Sequence, residues 1–329
     1  MTTEDVAYGQ GHTGPATPAD REQAITDQVV ASFATPVSER YGAVMASLVR
    51  HLHAFVRDVR LTEAEWSQAI DFLTRTGQAS DERRHEFVLL SDVLGISMMT
   101  VTVNEVPDPE VTESTVFGPF FVAGSPAVPH GGDLSGGAVG QPCWVQGRVR
   151  GQGREPVAGA RVEVWEADGD GCYDVQYDDH RTANRGHLFT DADGRFSFWS
   201  IKPVAYPIPT DGPVGELLRA GGRGSMRPAH VHFMITSAGY RPLTTHIFVA
   251  GDEYLNDDAV FGVKDSLVAE FVQHAAGELA PPGAPGAPGA PGATAAAGAP
   301  GATGGTGTPG ETAWSSLSYE FVLASRPQG

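Results

Sequence analysis

The strongest constraint on the fold of this chain is a change of hydrophobic period near Pro107. Before that point apolar residues recur at three- and four-residue spacing. Tyr41, Val44, Met45, Leu48, Val49, Leu52, Phe55, Val56 and Val59 make one broad stripe along a helix. Thr62 and Glu65 have the spacing of a capping box ahead of Trp66, Ile70, Phe72 and Leu73, and Gly77 suits a stop. A third helical stretch is expected over about 81–103. After Pro107 the chain breaks into short β-like runs at 143–149, 160–165, 195–199, 229–235, 243–249 and 316–323, separated by Gly, Pro and Asp. One more helix is expected within 252–272, from Val260, Phe261, Val263, Leu267, Val268 and Phe271.

The expected fold class is therefore mixed: an antiparallel β-sandwich domain preceded by an α-helical region. Residues 1–20 read as a disordered N-terminal arm, 21–106 as the helical region and 107–329 as the sandwich. Residues 280–310 are almost entirely Pro, Gly, Ala and Thr, with too few Gly triplets for a collagen helix. They read as a disordered insertion inside the sandwich, because 314–323 returns as a core strand. Deleting 282–308 is expected to leave folding and activity nearly intact.

A net charge of −18 argues against a nucleic-acid partner, which would need clustered Lys and Arg. Two cysteines, Cys143 and Cys172, are too few for a disulfide framework and fit a reducing cytoplasm. Cys172 is expected to be a small buried thiol. The first 20 residues lack the basic and apolar regions of a signal peptide. The apolar run 87–103 is interrupted by Ser91, Asp92, Gly95 and Ser97, so no membrane insertion is expected.

Two residues of one type separated by one apolar residue share a face of a strand. His230-Val231-His232 has that pattern in a β-like run. Its imidazoles can chelate one metal ion, or they can hydrogen-bond to nearby backbone in a half-buried strand. Tyr173 follows Asp170-Gly171-Cys172 in a loop, and Tyr206 lies in Lys202-Pro203-Val204-Ala205-Tyr206-Pro207, where proline rules out a central strand. The segments 156–165 and 190–198 also suit a non-catalytic transthyretin-like binding module.

With Arg227-Pro228-Ala229-His230 and the two loop tyrosines, the chain resembles the intradiol ring-cleaving dioxygenases, from about residue 25 to the end except for the Pro/Gly insertion. The resemblance implies one non-haem Fe(III) per subunit held by Tyr173, Tyr206, His230 and His232. Phenolate oxygens are hard, anionic donors that suit ferric iron, and imidazoles complete the shell. It also implies that Tyr206 accepts a proton from an aromatic diol, that Tyr173 stays bound, and that Arg227 stabilises negative charge on the substrate. O2 is the second substrate.

Within the family, the stretches 48–59, 61–77 and 113–120 look like the enzymes that open hydroxyquinol (benzene-1,2,4-triol) to 3-hydroxy-cis,cis-muconate, a tautomer of maleylacetate. So does 243–248, with His246 where catechol-type relatives usually carry Gln. Cleavage of catechol or chlorocatechol is the alternative. The family's pocket positions fall on Leu89, Asp92, Val116, Phe117, Gly118, Pro119, Phe120, Ile208, Pro209, Arg227, His246 and Val260. A carboxylate is costly to bury without a partner, so Asp92 either accepts a hydrogen bond from the third hydroxyl of the triol or bonds to local backbone. The apolar stripes on 41–59 and 87–103 imply a homodimer through the helical region, in some relatives with bound phospholipid.

Overall fold

The computed structural model describes residues 16–81, 84–282 and 312–326. The readings of 1–15 as an arm and of 283–310 as an insertion lie outside these residues. Six α-helices and eleven strands occur among them. The helices are α1 (Pro18–Ala31), α2 (Glu39–Val59), α3 (Glu63–Gln78), α4 (Glu86–Val93), α5 (Ile96–Asn104) and α6 (Pro213–Ala220). The strands are β1 (Pro142–Gly151), β2 (Arg161–Trp165), β3 (Arg185–Phe189), β4 (Arg195–Ile201), β5 (Tyr206–Pro207), β6 (Met226–Arg227), β7 (His230–Thr236), β8 (Leu243–Val249), β9 (Val268–Ala269), β10 (Val272–His274) and β11 (Trp314–Leu323). Two compact units divide inside α3, after Leu73.

In the first unit, Thr17 caps α1 through a reciprocal pair with Asp20, so residues 18–20 are helical and not part of an arm. Thr26, the buried residue of α1, accepts from Arg57 at 2.9 Å and pairs with His53 at 3.0 Å on α2. The expected box at Thr62 forms: Thr62 N–H donates to Glu65 Oε2 at 2.9 Å and Glu65 N–H to Thr62 Oγ1 at 3.3 Å. The stripe of α2 is largely uncovered, with Leu52 and Phe55 each 53% exposed.

The second unit takes in the end of α3 and continues with α4 and α5, where one helix was expected. Gly95 at φ 71° breaks the run, and the two are bent by 73°. No single described helix is long and apolar enough to cross a membrane; this bent pair would pass on length and composition alone. Two sheets follow, in orders β10-β11-β1-β4 and β3-β2-β7-β8-β9, with a separate β5-β6 pair. Val145, Val149, Phe196, Phe198, Leu317 and Phe321 of the first sheet meet Val162, Val164, Phe233, Ile235 and Ile247 of the second in one core.

Pairing departs from a purely antiparallel sandwich at two places: β1 with β11 and β8 with β9 run parallel. No α-helix forms over 252–272, only one 3-10 turn at Asp265–Leu267. Asp252 and Asp258 instead accept hydrogen bonds from the backbone of Tyr254, Val260 and Gly262, and Phe261 adopts φ 60°. These aspartate-capped turns compete with the helix that the apolar spacing suggested. Cys143 is buried but Cys172 is only half-buried, in the turn after β2 that its carbonyl closes by accepting from Asp168 N–H at 2.8 Å.

Candidate metal centre

Alternation along β7 sends Val231, Phe233 and Ile235 into the sandwich core, which leaves His230 and His232 on the opposite face. Register places His246 of β8 directly opposite His232, and Trp165 of β2 opposite it on the other side. Trp165 stacks on the His232 ring at 4.6 Å between centroids. The short β5–β6 pair sets Tyr206 against Arg227. Tyr173 opens a 3-10 turn, with its backbone N–H bonded to Gln176 at 2.8 Å and its ring stacked on Phe120 at 4.5 Å.

These elements bring four donor atoms into one chain of contacts. The Tyr206 and Tyr173 hydroxyls are 3.0 Å apart, Tyr173 OH lies 3.0 Å from His232 Nε2, and His232 Nε2 lies 3.2 Å from His230 Nε2. All four side chains are buried. His230 Nδ1–H donates to the Pro228 carbonyl at 2.7 Å, so the lone pair is on Nε2, where Arg227 Nη1 lies 3.1 Å away and a metal ion would take its place as partner. His246 joins the two strand histidines, with donor atoms of all three within 4.8 Å. Its Nδ1 faces Arg227 Nη2 at 3.4 Å.

Burial, with the Arg227 charge adding to it, pushes His230 down to about 3. Burial also holds His232 and His246 well below the usual histidine range, helped by neighbouring imidazoles and Arg227. All three rings are thus neutral and able to donate lone pairs. Burial pushes the Tyr173 phenol far up, and Tyr206 reinforces this. Burial likewise raises Tyr206, against the pull of Arg227. Two neutral imidazoles and two buried phenols that lose their protons only to a cation are a donor set that fits ferric iron.

The residues expected to line the substrate pocket differ in burial. Leu89, Asp92, Val116, Phe120, Ile208 and Val260 are buried, Gly118, Pro119 and Pro209 are half-buried, and Phe117 is exposed. Leu89, Pro119, Phe120 and Pro209 line one cavity of about 200 Å³, with Arg84 and Gln176 beside them. Gly118 is required where it stands: at φ 76°, a Cβ would lie 3.2 Å from His232 Cε1. Asp92 is 1% exposed on α4, and its Oδ1 has no hydrogen-bond partner within the protein. Burial pushes its carboxyl up to about 6, against Ser97 and the Arg227 charge.

Three supports escaped the sequence reading. Asp258 binds Arg227 Nε at 3.1 Å inside the protein. Arg185 of β3 grips Asp174, the residue after Tyr173, and donates to the Phe120 carbonyl at 2.8 Å. Trp165 packs on His232. Only the placement of Asp174 beside Tyr173 could have hinted at any of these.

Comparison with known proteins decides the family. A model described as "Dioxygenase" matches residues 116–297, and one described as "Catechol dioxygenase N terminus" matches residues 38–112. The chain belongs to the intradiol ring-cleaving dioxygenases. Among these dioxygenases, it is 57% identical over 263 residues to a hydroxyquinol 1,2-dioxygenase of Nocardioides simplex, covering 80% of this chain and 90% of that one. It is 56% identical over 254 residues to a 6-chlorohydroxyquinol 1,2-dioxygenase of Cupriavidus pinatubonensis, covering 77% and 92%. The solved hydroxyquinol 1,2-dioxygenase of Pseudomonas putida DLL-E4 superposes with TM-score 0.77 at 42% identity, covering 94% of this chain and all of that one. Catechol and chlorocatechol dioxygenases are more distant.

Proposed function

We propose that this dioxygenase opens hydroxyquinol between its two adjacent hydroxylated carbons, giving 3-hydroxy-cis,cis-muconate and hence maleylacetate. The observation that carries the reading is the convergence of Tyr173, Tyr206, His230 and His232, with Arg227 3.1 Å from His230. One Fe(III) per subunit, held by these four side chains, would supply the Lewis acidity that takes up the diol and makes a ring carbon reactive toward O2.

The chain's own residues divide the remaining work. Tyr206, beside Arg227, would be a phenolate once metal binding has displaced its proton, and its oxygen then accepts a proton from a substrate hydroxyl. Tyr173 is stacked on Phe120 and tied to the turn that Arg185 holds, so it keeps its place. Burial opposes the Arg227 charge, but Asp258 prevails and keeps the guanidinium protonated. It therefore stabilises negative charge developing on the ring. Leu89, Val116, Phe120, Ile208, Pro209 and Val260 exclude water around that ring. Asp92, buried with an unpartnered oxygen, accepts a hydrogen bond from the third hydroxyl, the group that separates the triol from catechol.

The relatives support hydroxyquinol over catechol or chlorocatechol. Oxygen uptake with hydroxyquinol and catechol side by side, with product spectra recorded, tests the reading. Faster turnover of catechol would overturn the substrate assignment, and a colourless, iron-free, inactive protein would overturn the chemistry. The exposed α2 stripe fits a homodimer, which sedimentation can check, and the two unpaired thiols fit a cytoplasmic protein.

A further inference from the structure

A guanidinium that stabilises charge on a bound ring has to present a fixed edge, because its donors lie in one plane on a flexible stem. Asp258, thirty-one residues further along the chain, grips one edge of Arg227. Its Oδ1 accepts from Nε at 3.1 Å and its Oδ2 from Nη2 at 3.4 Å, so Nη1 is left facing His230 Nε2 at 3.1 Å.

The carboxylate is itself cradled. Gly262 N–H donates to Oδ2 at 2.9 Å and Val260 N–H to Oδ1 at 3.3 Å, so residues 258–262 wrap around one side chain. Phe261 takes φ 60° to allow this, a conformation that a bulky residue keeps only where its surroundings impose it. A Cβ on Gly262 would lie 3.2 Å from Asp258 Oδ2 and 3.3 Å from Arg227 Nη2. Ala259 N–H donates to the Met226 carbonyl at 3.0 Å, which ties the turn to the strand carrying Arg227. Arg223 donates to the Ala259 carbonyl at 3.0 Å and lies 4.8 Å over the Phe261 ring.

We propose that Asp258 is a positioning residue for ring cleavage. Through its grip on the Nε and Nη2 edge it fixes the direction in which Arg227 presents charge to a bound aromatic ring. The proposal rests on the role given to Arg227 above.

The test uses the iron-loaded full chain with Asp258→Asn, Arg227→Ala and the double variant. Asparagine keeps the size of the side chain and can still accept from Gly262, but it turns N–H groups toward Arg227 if it does so. Asp258→Asn should lower kcat on hydroxyquinol about tenfold or more, with KM changed by less than about threefold and with iron content and the tyrosinate-to-iron absorption unchanged. In the Arg227→Ala background the same change should lower kcat by no more than about twofold, because no guanidinium is left to orient. Equal losses in both backgrounds, full activity of Asp258→Asn, or loss of iron from that variant would each overturn the proposal. Full turnover by Arg227→Ala would overturn it too, by removing the role of Arg227 itself; normal Asp258→Asn beside impaired Arg227→Ala would refute the positioning role alone.

Discussion

Replacing Arg185 by methionine would leave the Asp174 carboxylate buried without a counter-charge. In the native protein Arg185 and Asp174 are 5% and 8% exposed. Three contacts between them measure 2.6, 2.9 and 3.1 Å, and a fourth bond runs from Arg185 to the Phe120 carbonyl at 2.8 Å. Breaking a buried pair by removing one partner costs roughly 3–5 kcal/mol. The extra orphaned carbonyl places this case toward the upper end. At roughly 2–4 °C per kcal/mol for a unit of this size, the melting temperature should fall by about 6–20 °C. Thermal unfolding of the iron-loaded enzyme followed by circular dichroism measures this directly. The double variant Arg185→Met with Asp174→Leu should recover much of the loss, because an apolar pair replaces an unmatched charge. The local effect is equally specific: Asp174 adjoins Tyr173, so the single variant should hold iron more weakly and lose tyrosinate colour. A fall of less than about 1 kcal/mol, or a double variant as unstable as the single one, would refute the reasoning.

Other consequences can be checked at the bench. Asp92→Asn should lower the ratio of hydroxyquinol to catechol turnover by about tenfold, since a carboxylate acceptor for the third hydroxyl is lost; an unchanged ratio would show that Asp92 is not the selector. Because burial holds its proton up to about pH 6, the carboxylate that accepts this bond forms as pH rises through that value, so selectivity for the triol should fall on acidification below it. Ferric loading of the metal-free protein at neutral pH should release protons from both raised phenols, read by titration in weak buffer, whereas Tyr173→Phe should release fewer and bind iron less well. Gly118→Ala should lose iron or activity because its Cβ would press on His232, and the shift of the tyrosinate absorption would report it.

Several parts of the fold were legible from local pattern alone. The period of α2, the Thr62–Glu65 box and the alternation of β7 depend on residues within a few positions of one another, so the sequence displays them without help. The same holds for Tyr206, since proline next to it keeps that segment out of a central strand. The expected helix over 252–272 failed because three- and four-residue apolar spacing does not register the competition from Asp252 and Asp258 for backbone N–H groups. The single helix over 81–103 failed at Gly95, where a left-handed residue ends one helix and begins another.

By itself the sequence determined the chemistry on offer: two imidazoles on one strand face, two phenols in loops, one arginine beside them, and helices placed ahead of strands. The tertiary structure alone decided how these groups are supported. Asp258 reaches Arg227, Arg185 of β3 reaches back to Asp174 in the preceding turn, and β11 pairs parallel to β1 from far along the chain. No periodicity records such meetings. They arise because a side chain buried with charge or unpaired donors is stable only beside a matching group, and the register of distant strands and turns determines which group that is.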